Sequence, residues 1–373
     1  MSHSLRLVLK TTAGFAGLAI LIAGPAFALD ITPTFDSSIT GASNAAEIEG
    51  AIDAATSAIA SNFSNPFNVN ILFEAVHGEN SFLSASESSF YGLSYSEYTS
   101  LLAGAAAANP ANAVLNSAVA NLSVGNQGGT LGMAVTNTVL EALGVPSADV
   151  PGGFDQNGNY TGDGPIDGVV FLNIDAPLAY SQPVPAYDGG NLTYDATRAL
   201  EHEIDEILGG GGSGSTLNAI ADYGLDNPED PITYYEGALD LYRYSAPGVP
   251  SFTTDPDATA YLSVDGGLTS LVGFNQDSSG DFGDFGPNAN ACGSAGGIGG
   301  PAGLIQDAFT CYNETGEKFT RNSPEYAMLE AIGYDGIAAP ELATWAMMAA
   351  GFLGLAFAGR RRAAPVRGVE RAM

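Results

Sequence analysis

One stretch of the chain concentrates groups able to do chemistry: Glu201-His202-Glu203-Ile204-Asp205-Glu206-Ile207-Leu208-Gly209. His202 and Glu206 stand four apart, so on a helix turning about 100° per residue they project from one side, one turn from each other. Leu200, Ile204, Ile207 and Leu208 gather on the far side, which can be buried. An imidazole and a second donor at this spacing, with a glutamate directly after the imidazole, let a helix hold a divalent metal ion and keep a general base beside it. The commoner form of the pattern is His-Glu-x-x-His; here Glu206 replaces the second histidine. A carboxylate oxygen also ligates zinc, so the chemistry survives the exchange. The same residues also read as an acidic amphipathic helix that happens to carry one histidine.

The helix that must present these groups is predicted from Asp195 to Leu208, with Asp195 as its N-cap and the glycine run 209–212 ending it. Upstream, Asn44 to Phe63 has apolar residues at helical spacing, and Phe67 to Ala75 alternates as a strand does, so helix followed by strand opens an α+β domain. Tyr95 to Ala108 and Leu131 to Leu143 read as helices, 168–174 as a strand, 260–264 and 270–274 as short strands among Gly and Asp clusters, and Ser323 to Ile332 as the last element. Asp155-x-Asn157-x-Asn159 has the opening spacing of a calcium loop. Tyr160 stands where such a loop needs glycine and Ile166 where it needs glutamate, which favours a hairpin loop over Ca2+.

The ends of the chain address it for export. Arg6 and Lys10 precede an apolar run from Thr11 to Ala23 and then Ala26-Phe27-Ala28, the pattern of a signal peptide occupying 1–28. At the other end Pro340-Glu341-Leu342 leads into an apolar helix at 343–358 and then Arg360, Arg361 and Arg362. At about 1.5 Å per residue that helix is roughly 25 Å long, enough to cross a thin bilayer with its arginines on the cytoplasmic side. This tail, 336–373, resembles the PEP-CTERM sorting signal, with Leu342 in place of the second proline. That resemblance implies transient anchoring in the inner membrane, a membrane-bound processing enzyme as partner, and delivery to the periplasm, cell surface or extracellular matrix. Without both ends the chain keeps 4 basic against 40 acidic residues, a net charge close to −36. Nucleic acid is excluded as a partner, because phosphates need a basic surface. Cys292 and Cys311 are the only cysteines, and in an oxidising compartment they are expected to form a disulfide, worth about 3 kcal/mol in the chain-entropy account.

The exported region 29–335 resembles a family of PEP-CTERM-bearing metalloproteases. The similarity is carried by Ile31-Thr32-Pro33-Thr34-Phe35-Asp36, Asp167-Gly168-Val169-Val170-Phe171-Leu172-Asn173, the His202-Glu203-x-x-Glu206-x-x-Gly209 helix, Asp240-Leu241-Tyr242-Arg243-Tyr244-Ser245-Ala246-Pro247-Gly248, and Met328-Leu329-Glu330-Ala331-Ile332-Gly333-Tyr334-Asp335. It implies a zincin-like α+β domain with the active-site helix beside a mixed sheet, a Zn2+ cofactor, and a peptide or protein substrate. His202 and Glu206 are then metal ligands and Glu203 the base. Only His77 and His202 remain after the signal is removed, so a three-histidine site within one chain is impossible. A metzincin's third ligand would fall at Gly212, so the donor comes from elsewhere: Asp240, Glu236, Asp222 and His77 are admissible. Asp240 is favoured, against a reading in which it pairs with Arg243, and Tyr242 or Tyr244 is open to an oxyanion role or to packing. The competing functions are a catalytically silent zincin-like surface or matrix protein and a carbohydrate-binding adhesive module.

Overall fold

The computed structural model describes residues 28–78, 82–123, 132–186, 188–224, 231–286 and 303–337. The expected signal peptide up to Phe27, the sorting tail with its apolar helix, and Cys292 lie outside these residues. Among the described residues no helix is long and apolar enough to cross a membrane.

The chain folds as a mixed α+β structure. Strand β1 (Asp30–Phe35) is followed by helices α1 (Ser37–Thr40) and α2 (Ala45–Ala60), and these carry the chain back to β2 (Asn68–Val76), which runs parallel to β1. Next come β3 (Ser84–Ser88), β4 (Phe90–Ser94), α3 (Tyr95–Ala108), α4 (Ala113–Ala120), β5 (Gly132–Thr136), α5 (Asn137–Ala142) and β6 (Gly168–Asn173). The principal sheet has the order β1-β2-β6-β3, with β6 parallel to β2 and β3 antiparallel to β6 at the edge. Central β2 carries a continuous apolar run at Ile71-Leu72-Phe73, buried because both of its faces are covered there. Val69, Ile71 and Phe73 point into the main core, whereas Leu72 joins Phe154, Ile166 and Val169 in a smaller cluster on the opposite face.

Helix α2 packs on the main-core face beside α6 (Ala196–Ile207), which crosses β6 and β3. The α2 residues Ile48, Ile52, Ala55 and Ile59 are buried there, as their spacing predicts. Ile207 of α6 packs directly over Gly168 of the sheet: a Cβ at this position would lie 2.6 Å from Ile207 Cγ1 and 2.7 Å from its Cδ1. At this point the strand must carry no side chain. Beyond α6 lie α7 (Leu217–Tyr223), a small four-stranded sheet formed within 243–273, and α8 (Pro324–Ile332).

One expected helix is corrected. The segment 132–143 is not a single helix but β5 followed by the six-residue α5. Its first half is drawn into a sheet by β4 on one side and Tyr235–Gly237 on the other. Tertiary pairing overrides helical periodicity in a run this short. The 155–159 segment is a hairpin loop, in which Asp155 Oδ1 accepts from the backbone N–H groups of Asn157 and Asn159, flanked by pairing of Phe154 with Tyr160 and Ile166.

Candidate metal centre

The ends of α6 are made as the sequence predicts. Asp195 Oδ1 accepts from the Arg198 N–H at 3.2 Å, and the helix closes at Gly209, φ +88°, whose N–H donates to the Glu206 carbonyl at 2.8 Å. Leu200, Ile204, Ile207 and Leu208 enter the core. The opposite face of the helix forms the floor of a cleft of about 540 Å³, walled by β3, by Tyr194, by Ser279–Asp281 and Asp284, and by the segment 307–312. Tyr194 and Tyr312 stack at its rim with ring centroids 4.1 Å apart. Cys311, buried at 8% exposure, lines the same wall.

His202 and Glu206 project into this cleft together. Among the described residues one group is arranged to hold a metal ion: His202, Glu206 and Asp284, with ligand atoms all within 4.8 Å of one another. His202 Nε2 lies 3.8 Å from Glu206 Oε1 and 3.6 Å from Asp284 Oδ2. His202 Nδ1 is 3.0 Å from the Ile305 carbonyl, which can only accept, so Nδ1 carries the proton and Nε2 keeps its lone pair for a ligand. The turn that supplies this carbonyl is anchored by buried Arg198: its Nε donates to the Leu304 carbonyl at 2.8 Å, and its guanidinium reaches Asp307 at 3.2 Å.

Two carboxylates of α6, Glu203 and Glu206, are each held by a serine of the edge strand. Ser84 Oγ donates to Glu203 Oε1 at 2.7 Å, and Ser86 Oγ donates to Glu206 Oε2 at 2.6 Å. The register explains this. Ser84, Ser86 and Ser88 stand opposite Leu172, Val170 and Gly168, and directly opposed residues share a face, so all three serines turn toward α6. Glu206 Oε1 also accepts from the Gly212 N–H at 3.0 Å. The position where a metzincin would carry its third ligand thus contributes a backbone donor to the second one.

The electrostatics call for a cation. Burial, reinforced by the charge of Glu206, pushes Glu203 up to about 8. Burial and Glu206 likewise raise Asp281 to about 6 and drive Asp284 well above its ordinary range. Burial pulls the His202 imidazole down, but Glu203 and Glu206 outweigh it, and the net direction is upward. Apart from the His202 imidazole itself, no protein cation meets the group among the described residues. Arg198 faces Asp307 and Glu314, while Arg243 donates to the Phe282 carbonyl and Gln276. One imidazole lone pair and two oriented carboxylates, crowded and without a counter-charge, fit a divalent ion.

Asp240, the favoured third ligand, is not brought to this group. Its buried carboxylate accepts from Ser215 Oγ at 2.6 Å and from the N–H groups of Thr216 and Gly237 at 3.1 and 2.8 Å, tying down the turn at 237–242. Burial raises its proton affinity, and the charge of Arg243, with which it makes no direct ion pair, works against that rise. His77 is exposed and meets Asp175 at 2.9 Å, Asp222 is exposed, and Glu236 is buried in the strand Tyr235–Gly237. Tyr242 and Tyr244 donate to the carbonyls of Ala331 and Asn121, the behaviour of packing residues. Asp284 takes the third place. Its sequence signal was the doublet Gly280-Asp281-Phe282-Gly283-Asp284-Phe285-Gly286, in which the glycines permit close backbone approach: a Cβ on Gly283 would stand 2.0 Å from the Gly211 carbonyl oxygen. Compared with protein-family models, curated proteins and solved structures, the chain finds no match, so its function is read from the geometry of this cleft.

Proposed function

We propose that the chain is an exported, metal-dependent peptidase of zincin-like fold. The observation that carries the proposal is the convergence of His202 Nε2, Glu206 and Asp284 on the floor of an open cleft, with Glu203 beside them. A divalent ion held by these three residues, Zn2+ by the resemblance, would supply Lewis acidity to the scissile carbonyl and acidify water. Every other role belongs to the chain. Glu203 takes the proton of the attacking water and returns it to the leaving amine, and Ser84 fixes the carboxylate oxygen opposite the one that works. The mixed sheet, with β3 as antiparallel edge beside the active-site helix, supports the zincin-like reading. The signal-like start, the sorting-like tail and a charge close to −36 support export.

The test is metal content together with one substitution. Purified protein is expected to hold about one zinc per chain. Glu203→Gln is expected to keep the metal and lose peptide hydrolysis. A folded protein that takes up no divalent ion, or a Glu203→Gln variant as active as wild type, overturns the proposal.

A further inference from the structure

We infer that Gln306 is a fourth donor to the same cation, through Oε1, after its side-chain amide turns over. The inference rests on the reading of His202, Glu206 and Asp284 as a cation site. Gln306 is fully buried, and its backbone is pinned from both sides: its N–H donates to Glu325 Oε1 at 3.1 Å and its carbonyl accepts from the Phe285 N–H at 2.7 Å. The side chain therefore has a fixed root and one place for its amide. Nε2 stands 2.9 Å from Asp284 Oδ1 and 3.3 Å from His202 Nε2, whereas Oε1 has no hydrogen-bond partner.

The separations of Gln306 and Asp284 from His202 Nε2 are those of donors that share an ion. Two ligands each roughly 2.0–2.2 Å from one metal lie about 3–3.6 Å apart. Around His202 Nε2 the neighbours are the Gln306 amide at 3.3 Å, Asp284 at 3.6 Å and Glu206 at 3.8 Å. The amide end thus occupies the place of a fourth ligand. In the metal-free structure, however, it aims an N–H at the imidazole lone pair that an ion must use, and N–H and cation cannot share that point. Rotation about the terminal torsion of glutamine exchanges O for N within the same shape, and such sp3–sp2 torsions have broad, roughly two-fold profiles. The rotated amide presents to the ion an acceptor that is otherwise orphaned in the interior. Asp284 exchanges its N–H partner for the ion itself. A neutral donor also suits the charge: Glu206 and Asp284 already balance a divalent ion, and Glu203 and Asp281 stand nearby. Gly211, φ +47°, leaves the room for this side chain, since a Cβ there would fall 1.9 Å from Gln306 Nε2.

Metal-stripped protein titrated with Zn2+ alone, by calorimetry, distinguishes the possibilities across wild type, His202→Ala, Gln306→Glu and Gln306→Leu. Gln306→Glu carries oxygen at both terminal positions and is expected to keep most of the wild-type zinc affinity despite its added charge. Gln306→Leu is expected to bind at least tenfold more weakly, with a changed visible spectrum when loaded with Co2+. Circular dichroism of the metal-free forms reports whether each variant folds. If Gln306→Glu weakens zinc as much as Gln306→Leu does, the amide serves Asp284 through its N–H and the inference is wrong. The inference is equally overturned if Gln306→Leu binds as wild type does while His202→Ala does not, a result that leaves the three-residue site standing. Folded wild type that binds no zinc removes the site and the inference together.

Discussion

Removing the hydroxyl of Ser86 tests whether the edge strand sets the metal affinity of the helix. Ser86 Oγ lies 2.6 Å from Glu206 Oε2, and the other oxygen of Glu206 is held by the Gly212 N–H at 3.0 Å. Ser86→Ala therefore deletes one of two hydrogen bonds to a carboxylate that is only 7% exposed, so water does not readily replace it. A hydrogen bond to a charged group is worth about 1.5–3 kcal/mol. The metal-loaded form needs Glu206 aimed at the ion, whereas the metal-free form can let the carboxylate turn, so most of that loss falls on binding. At about 1.4 kcal/mol per tenfold this corresponds to zinc affinity roughly 10–100-fold weaker, the usual effect of losing a group that orients a ligand. Ser84→Ala is the internal control. Two residues away on the same face, it touches Glu203 and not a ligand, so zinc affinity should stay within about threefold while hydrolysis falls. Calorimetric titration of metal-stripped protein gives both numbers. Equal zinc affinity in Ser86→Ala and wild type, or equal losses in the two serine variants, would refute the assignment of one serine to each carboxylate.

Other consequences are open to direct measurement. Gly168→Ala should destabilise the fold by about 1–3 kcal/mol in chemical denaturation, because the new methyl meets Ile207 from three sides; an unchanged midpoint would show that α6 can lift from the sheet at no cost. Burial raises Glu141 and Glu330 to about 7 and Asp167 to about 6. The folded state therefore binds more protons than the unfolded one between the ordinary carboxylate range and about pH 7, and stability contributed by these groups is lost as pH rises across that window. Metal-free protein should accordingly melt at lower temperature at pH 7.5 than at pH 5, and a rise in melting temperature over the same interval would contradict the sign. Peptide mapping of exported protein without reduction is expected to recover a Cys292–Cys311 cross-link, which two free thiols would exclude. Truncation before Pro340 should release the protein into the medium, whereas equal release of the full chain would deny the tail an anchoring role.

Sequence alone determined the local part of the candidate site. The α6 helix, its Asp195 cap, its glycine stop and the common face of His202 and Glu206 all depend on residues within one turn of each other, where helical periodicity is decisive. The same holds for the apolar stripe of α2 and the buried run of β2. The third donor was not singled out, because Asp240 and Asp284 are equal as residue types and nothing local to either says which one folds back to His202. Tertiary structure separates them: Ser215, Thr216 and Gly237 consume the carboxylate of Asp240 in a turn, while the folding of 280–286 against Gly211 carries Asp284 to His202. Ser84 and Ser86 were equally silent, since a short polar run of serines has no hydrophobic alternation. Its role comes from register, with Ser86 opposite Val170 and Ser84 opposite Leu172 on the face that α6 covers. The sequence thus wrote the helix and two of its donors, and long-range pairing of an edge strand and two distant loops decided what stands around them, because those contacts are set by how the whole chain closes its core.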